Sequence, residues 1–338
     1  MHMADSLISK EVGVAMSIVS IATIAFVITN LKGKMTDKLI PLMGILGAFV
    51  FAAQMINFSV PGVVGSSGHL VGSILLSAVL GPMPALIVIT SVLIIQSLFF
   101  ADGGILALGC NIFNMGIIPC LLVYPLVFKP IIKAKSGILN LTLASVVSSL
   151  VALNLGAMFV VFMTTISGIT MLPFNVFLGT MIGVHIPISI VEGVVTAAVL
   201  SYVYAQRKEI IEGIDFEAKT ARSPKPVIIV LAIVAFVTAG VLSLYASSHP
   251  DGLEWSIEKV ARVELADGVS AVHAWSQNVQ DKLAFMPDYD FKEGVSTNIN
   301  GTSAAGIVGS IIVLFVSVIL GFIIKISRQK RREDPIEE

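Results

Sequence analysis

The start of this chain combines groups that could chelate a metal ion. The sequence begins Met1-His2-Met3-Ala4-Asp5. A free terminal amine, the amide nitrogen of residue 2 and the His2 imidazole are close along the chain, so one ion bound by all three would close fused chelate rings. Such a chelate needs the amide to lose its proton, and nitrogen ligands in one plane suit Ni(II) or Cu(II). The alternative is that a histidine after the initiating methionine has no role.

A second imidazole, that of His69, strengthens the metal interpretation. It ends the stretch Gly65-Ser66-Ser67-Gly68-His69, in which glycines permit close backbone approach and unusual dihedral angles. Neutral imidazole is the commonest protein metal ligand. Met1, His2 and His69 are therefore the predicted metal ligands. For His69, the alternative is an interfacial histidine solvated by lipid head groups.

Seven further polar residues could support these ligands or line an ion path: Asp102, Gln54, Asn57, Asn111, Asn114, His185 and Glu192. Asp102 is the only charged residue between Lys38 and Lys129, and ionisable groups near membrane depth are usually functional; capping a loop is the alternative. The two amide pairs are each three residues apart and share a helix face. They could orient metal ligands or hold helices together.

His185 and Glu192 are seven residues apart, so they lie on one face of a predicted helix. They are the only ionisable pair within a predicted span. A proton relay or a waypoint for a cation is one interpretation. A buried polar contact between helices is the other.

The composition predicts an all-α polytopic membrane protein. Of the 338 residues, 56% are hydrophobic and 13% are charged, whereas a soluble domain carries roughly a quarter charged residues. Apolar runs long enough to cross a bilayer predict about nine transmembrane helices, a seven-helix body followed by a two-helix hairpin. The predicted spans are 12–31, 37–57, 67–81, 83–100, 105–128, 138–166, 172–205, 226–247 and 304–326.

The sequence leaves two features of these spans open. The third span is short and ends at Gly81-Pro82, where a re-entrant or tilted pair of helices is an alternative. The second contains small residues at Gly44, Ala48 and Ala52, a spacing that allows close helix approach. That face could pack within the chain or dock another membrane subunit.

Charge predicts the sidedness and the domains. Basic residues collect in connections on one side, which places the N-terminus outside and the C-terminus in the cytoplasm. The first span has no basic region before it, so the N-terminus is expected to be retained. Residues 1–206 form the predicted seven-span domain, 207–225 a cytoplasmic linker and 226–338 a two-span domain. Its outside segment, 248–303, holds nine acids against four bases.

Several classes of protein find no support. There is no phosphate-binding G-x-x-x-x-G-K-[ST] loop, no H-E-x-x-H and no G-x-S-x-G, so an intramembrane enzyme ranks last. Cys110 and Cys120 are isolated in apolar stretches and offer neither a disulfide framework nor metal-ligand spacing. Basic residues follow the membrane face, so nucleic-acid binding is not expected.

Three separated motifs resemble a known family. The start MHMADSLIS, the stretch FVFAAQMINFSVPGVVGSSGHLVG (49–72) and the stretch LFFADGGILALGCNIFNMG (98–116) resemble the metal-capture component of energy-coupling factor transporters for nickel and cobalt. The string PDGLE (250–254) resembles the small accessory subunit of the same systems. The chain therefore looks like a fusion of the two.

The resemblance implies a mechanism. Four nitrogens would hold the ion: the Met1 amine, the His2 amide nitrogen, the His2 imidazole and the His69 imidazole. No cofactor is implied beyond the transported Ni(II) or Co(II). A membrane coupling protein and cytoplasmic ATPase subunits would be the partners, in a prokaryotic inner (cell) membrane. The alternative from the residues alone is a stand-alone secondary cation carrier or channel that uses Asp102, His185 and Glu192.

Overall fold

The computed structural model describes residues 1–31, 35–135, 137–168, 173–206, 211, 225–261, 270–292 and 300–333. Helices make up most of these residues, with one short antiparallel pair of strands, β1 (Phe58–Ser59) and β2 (Ser67–Gly68). The helices are α1 (Lys10–Asn30), α2 (Leu39–Gln54), α3 (Ser73–Leu80), α4 (Pro82–Phe99), α5 (Leu108–Ile112), α6 (Lys129–Ala134), α7 (Ile138–Ser167), α8 (Phe174–Gln206), α9 (Lys225–Gly240), α10 (Gly252–Ala261), α11 (Ala271–Leu283) and α12 (Gly301–Glu333). A π-helical stretch, Phe113–Phe128, joins α5 to α6.

The all-α membrane architecture is confirmed, but the count of nine spans is not. In the described part of the chain, six helices are long and apolar enough to cross a membrane, and α2 and α9 are shorter apolar helices. The predicted third span contains α3, which has only 8 residues. At 1.5 Å per residue it reaches about 12 Å, well short of a hydrocarbon core of about 30 Å.

The break between α3 and α4 follows from its sequence. Gly81 has a φ of 87°, which a residue with a side chain rarely adopts, and Pro82 lacks the amide hydrogen that would continue α3. The predicted interruption at Gly81-Pro82 is therefore present. The side of the membrane on which each terminus lies stays a prediction, and the linker 207–225 falls almost wholly outside the described residues.

The C-terminal hairpin packs on α2 through small residues. Helices α9 and α12 both contact α2. A Cβ added at Gly44 would lie 2.6 Å from Val318 Cγ2, and Ser310 Oγ donates to the Ala48 carbonyl at 3.3 Å. The small-residue face of α2 therefore packs against α12 of the same chain.

Close backbone contact also fixes α1, which follows the N-terminal loop. A Cβ at Gly109 in α5 would lie 2.4 Å from the Ser17 backbone nitrogen and 2.6 Å from the Met16 carbonyl carbon. Ser20 Oγ donates to the Gly109 carbonyl at 2.7 Å. Only glycine at position 109 lets α1 pack this closely, so this contact sets where the N-terminal loop ends.

We expect Gly109→Ala to destabilise the protein by about 1–3 kcal/mol, because the added methyl group meets backbone atoms of α1 that cannot rotate away. Thermal unfolding in detergent would measure the change. Gly179→Ala is the matched control, because no atom lies within 4 Å of a Cβ built at Gly179 in α8. Equal melting temperatures for the two variants would contradict the close packing of α1 on α5.

Candidate metal centre

The first eight residues fold into the helical bundle. The side chains of Met1, Met3, Leu7 and Ile8 are all buried, so apolar contacts hold the loop in place. Asn111 pairs with the backbone of Met3, accepting from its amide at 2.8 Å and donating to its carbonyl at 3.1 Å. This pairing explains why an amide side chain stands at position 111, and it fixes the residue next to His2.

A second anchor holds the loop at Asp5. One carboxylate oxygen of Asp5 accepts from the Ala107 amide at 2.9 Å, and the other accepts from Ser276 Oγ. His273 Nε2 lies 2.9 Å from the Ile8 carbonyl. Ser276 and His273 both belong to α11, so the segment after the PDGLE string covers the N-terminal loop.

His69 meets the terminal amine at the end of β2. The Met1 nitrogen lies 3.3 Å from His69 Nε2, and the His2 and His69 rings stack with centroids 5.0 Å apart. His69 Nδ1 lies 3.0 Å from the Leu70 carbonyl. Since a carbonyl can only accept, Nδ1 carries the hydrogen and Nε2 presents its lone pair to the amine.

Glu192 holds the loop that carries His69. Its two carboxylate oxygens accept from the amides of Val71 at 2.7 Å and Gly72 at 3.0 Å. Gly72 has a φ of 76°, and a side chain there would be strained. Glu192 therefore makes a buried polar contact from α8 to the His69 loop, not to the side chain of another helix.

His2 lies between an amide and a carboxylate. Its Nε2 is 3.2 Å from Gln96 Oε1, and its Nδ1 is 3.2 Å from Asp102 Oδ1. Tyr289 donates its hydroxyl hydrogen to the other oxygen of Asp102 at 2.5 Å. Nδ1 is the ring nitrogen separated from the residue's own amide nitrogen by fewer bonds, so it is the one that a fused chelate would use.

Asp251, in the PDGLE string, contacts the terminal amine. Its Oδ2 lies 2.6 Å from the Met1 nitrogen and 4.0 Å from His69 Nε2. Its Oδ1 caps α10 by accepting from the amides of Leu253 and Glu254 at 2.8 and 2.9 Å, and Glu254 accepts in return from the Asp251 amide at 3.2 Å. This reciprocal pair is a capping box.

The capping box explains why one carboxylate reaches the amine. One oxygen of Asp251 is fixed by the start of α10, which leaves the other to face Met1. The segment before it is also held, because Ser67 donates its amide hydrogen to the Pro250 carbonyl at 2.8 Å. Sequence reasoning assigned no role to Asp251, although an acid three residues before another acid at a helix start was a usable signal.

Burial governs the ionisation of the two histidines. Burial lowers the pKa of the His2 imidazole to about 3, and the terminal ammonium acts in the same direction. The same two causes lower the pKa of His69 to about 4. Burial alone would raise the pKa of Asp251, but the terminal ammonium and His69 outweigh it and the pKa is lowered. Both imidazoles are therefore neutral at physiological pH, as metal ligands must be.

The other predicted polar residues differ in how close they lie to His2 and His69. Gln54 Nε2 donates to the Val71 carbonyl at 2.8 Å, and Asn57 lines the same cavity as His2 and His69. Asn114 Nδ2 lies 3.7 Å from Met3 Sδ. His185 Nδ1 is 2.7 Å from the Met181 carbonyl, and the imidazole borders a small cavity of about 10 Å³ that Met1, His69 and Asp251 also line.

Side chains alone do not make a metal site here. Among the residues that the structure describes, no three His, Cys, Asp or Glu side chains are grouped so that they could hold an ion. An ion at His2 and His69 would therefore depend on nitrogens of the main chain. Sequence reasoning also missed Gln96 and Tyr289, because only the fold brings them beside His2 and Asp102.

Two family models match the chain in tandem. The model for the cobalt uptake substrate-specific transmembrane region matches residues 2–210, and the model for the PDGLE domain matches residues 225–326. The fused nickel transport protein NikMN of Archaeoglobus fulgidus is 34% identical over 315 residues, which is 93% of this chain and 96% of the relative.

Further relatives cover the first part of the chain. The cobalt transport protein CbiM of Acetoanaerobium sticklandii is 30% identical over 62% of this chain and 86% of its own length. A crystal structure of a truncated transition metal transporter is similar with a TM-score of 0.54 and 28% identity, covering 61% of this chain and 99% of that one.

We expect Glu192→Gln to destabilise the protein by about 1–3 kcal/mol, because the amide nitrogen that replaces one oxygen cannot accept from the loop and leaves a buried amide unpaired. Thermal unfolding of the purified chain in detergent would measure the change. Unchanged stability would mean that Glu192 does not hold this loop.

Proposed function

Because the chain belongs to the family of cobalt uptake substrate-specific transmembrane regions and carries a PDGLE domain, we propose that it captures Ni(II) or Co(II) for an energy-coupling factor transporter. The membership confirms the resemblance seen in the sequence motifs. The chain is a membrane transport protein of the nickel and cobalt class. We propose in addition that its transport is coupled to ATP hydrolysis and that particular residues bind the ion.

The observation that supports the site is the meeting of Met1, His2 and His69. The buried terminal amine lies 3.3 Å from His69 Nε2, beside the stacked His2 ring. Binding an ion would take the amine, the His2 amide nitrogen, His2 Nδ1 and His69 Nε2. Four nitrogens in a plane favour Ni(II) over Co(II) by ligand geometry and by the order of divalent-ion affinities.

Carboxylates contact two of these nitrogens in the structure. Asp251 pairs with the terminal ammonium, and Asp102 faces His2 Nδ1. Binding the ion must therefore break the Asp251 ion pair and remove the proton from the amine. Asp251 and Asp102 stay nearby and offset part of the charge of the incoming divalent ion.

Energy would come from other subunits. The sequence contains no phosphate-binding loop of the G-x-x-x-x-G-K-[ST] type. We propose that a membrane coupling protein and cytoplasmic ATPases drive release of the ion, with the N-terminus of this chain outside. Reconstituting this chain alone in lipid vesicles tests the proposal directly. Nickel uptake without partner subunits would indicate a secondary carrier instead.

The structure does not favour the secondary carrier. Glu192 is engaged by the backbone amides of Val71 and Gly72, and His185 by the Met181 carbonyl. Asp102 faces His2 and Tyr289. These three residues are thus occupied by separate partners, and in the described part of the chain they form no continuous row of ionisable groups.

We expect His2→Ala and His69→Ala each to abolish measurable nickel binding in isothermal titration, because each removes an imidazole from the four-nitrogen set. His249→Ala is the control for losing an imidazole outside the four-nitrogen set, since this exposed histidine lines the same cavity as His2 and His69 but supplies none of the four nitrogens. Both ligand variants should melt near the wild-type temperature. Wild-type affinity in either variant would refute the site.

Proton release on nickel binding should be about two per ion between pH 5 and pH 7, one from the amine and one from the amide. The imidazoles add none, because burial lowers their pKa values to about 3 and about 4, below this range. Affinity should therefore fall as pH falls. Titrations in buffers of different ionisation enthalpy count the protons; a rise towards four as pH drops through 6.5 would show ordinary imidazole pKa values.

A further inference from the structure

A cavity of about 300 Å³ opens beside the candidate metal centre, between the N-terminal body and the described residues 248–261 and 270–292, which we call the PDGLE segment. We call it the acidic vestibule and define it by six of its lining residues: Asp102, Asp251, Glu254, Asp288, Gln54 and Tyr289. Of all the residues found to line it in the described part of the chain, none is Lys or Arg. His2 and His69 form part of its wall, so an ion inside would be next to the proposed chelate.

Gln54 indicates a polar occupant. Its side chain is 4% exposed and lines the vestibule, and its Nε2 donates to the Val71 carbonyl. Its Oε1 is buried and has no hydrogen-bond partner in the protein. Leaving a buried acceptor unpaired is unfavourable. Because the same side chain lines the vestibule, a small shift of its amide would bring Oε1 within reach of a water held there.

Backbone strain is concentrated around the same cavity. Three non-glycine residues have positive φ in the described chain, Ala101 (55°), Asp288 (52°) and Tyr289 (59°), and all three line the vestibule. Such strain persists where the surrounding structure enforces it, often at functional sites. Here the Asp288 amide donates to the Phe100 carbonyl at 2.8 Å, and Tyr289 reaches Asp102. The strain places an acid and a hydroxyl in the vestibule wall.

The size and spacing of the vestibule suit an ion that keeps its waters. No three acidic or imidazole side chains of the described residues are grouped to strip and hold an ion. Six waters occupy roughly 180 Å³ in the liquid, less than the cavity of about 300 Å³. Carboxylates spread around such a volume bind through water, and they attract cations before any direct contact.

We propose that the acidic vestibule is a separate holding site for a divalent cation with its water shell, from which the Met1, His2 and His69 nitrogens take the ion. The PDGLE segment contributes Asp251, Glu254 and Asp288, and the body contributes Asp102 and Gln54. The holding site is incomplete without either part. The identity of the ion as cargo rests on the proposed function.

The double variant Glu254→Gln/Asp288→Asn tests the vestibule without touching a proposed ligand. Gln at position 254 can still accept from the Asp251 amide and keep the capping box. Nickel chloride would be mixed rapidly with the full chain in detergent, and quenching of tryptophan fluorescence followed, since Trp255 adjoins Glu254. At low salt we expect nickel association to slow by about 5- to 10-fold with the dissociation rate unchanged.

A substitution-inert cation gives an independent readout. Hexaamminecobalt(III) keeps its six ammine ligands, so it resembles a hydrated ion that cannot pass to the nitrogens. It should slow nickel association to the wild type competitively and have little effect on the double variant. Glu258→Gln is the matched control, because Glu258 is an exposed acid on the same helix and does not line the vestibule.

The outcomes separate this inference from the proposed function. Equal association rates in the wild type and the folded double variant, or no effect of hexaamminecobalt(III) on the wild type, would overturn the holding site even if nickel still binds through His2. If the wild-type chain does not bind nickel at all, the proposed function is refuted instead. If the double variant does not fold, the hexaamminecobalt(III) measurement on the wild type still decides.

Discussion

The buried start of the chain is the constraint on which the rest of the structure depends. An ammonium group taken out of water needs a counter-charge close by, and Asp251 provides it at 2.6 Å. Met1 and Asp251 are 250 residues apart, so this ion pair ties the start of the chain to the PDGLE string. It also holds the amine beside His69, where an ion could replace the proton.

Many contacts that appear unrelated serve to keep this short loop in place. Asn111 pairs with Met3, Asp5 is held by Ala107 and Ser276, and Gln280 of α11 donates to the Gly103 carbonyl at 2.8 Å. Some of these partners lie in the body and others in the PDGLE segment. A chain terminus is usually mobile, and these contacts order this one.

The accessory part therefore has a physical role beyond covering the body. Its α12 packs on the small-residue face of α2, which leaves that face unavailable to another subunit. Asp251 of its PDGLE string caps the start of α10 with one carboxylate oxygen and contacts the terminal amine with the other. Fusion of the two parts in one chain keeps this carboxylate at the site continuously.

The sequence by itself determined the membrane class and the positions of most helices, because these depend on the length of apolar runs. It also determined the break at Gly81-Pro82, which follows from local backbone chemistry. The candidate nitrogens of Met1 and His2 could be identified because they are neighbours along the chain. It could not determine that α3 is too short to span, since apolar character extends beyond the helix on both sides. It also could not determine the contacts of Asp251, Gln96 and Tyr289 or the function of Glu192 as a loop anchor. Those contacts join residues far apart in the chain, and only the packing of α1 on α5, of α8 on the His69 loop and of α10 and α11 over the N-terminus brings their atoms together.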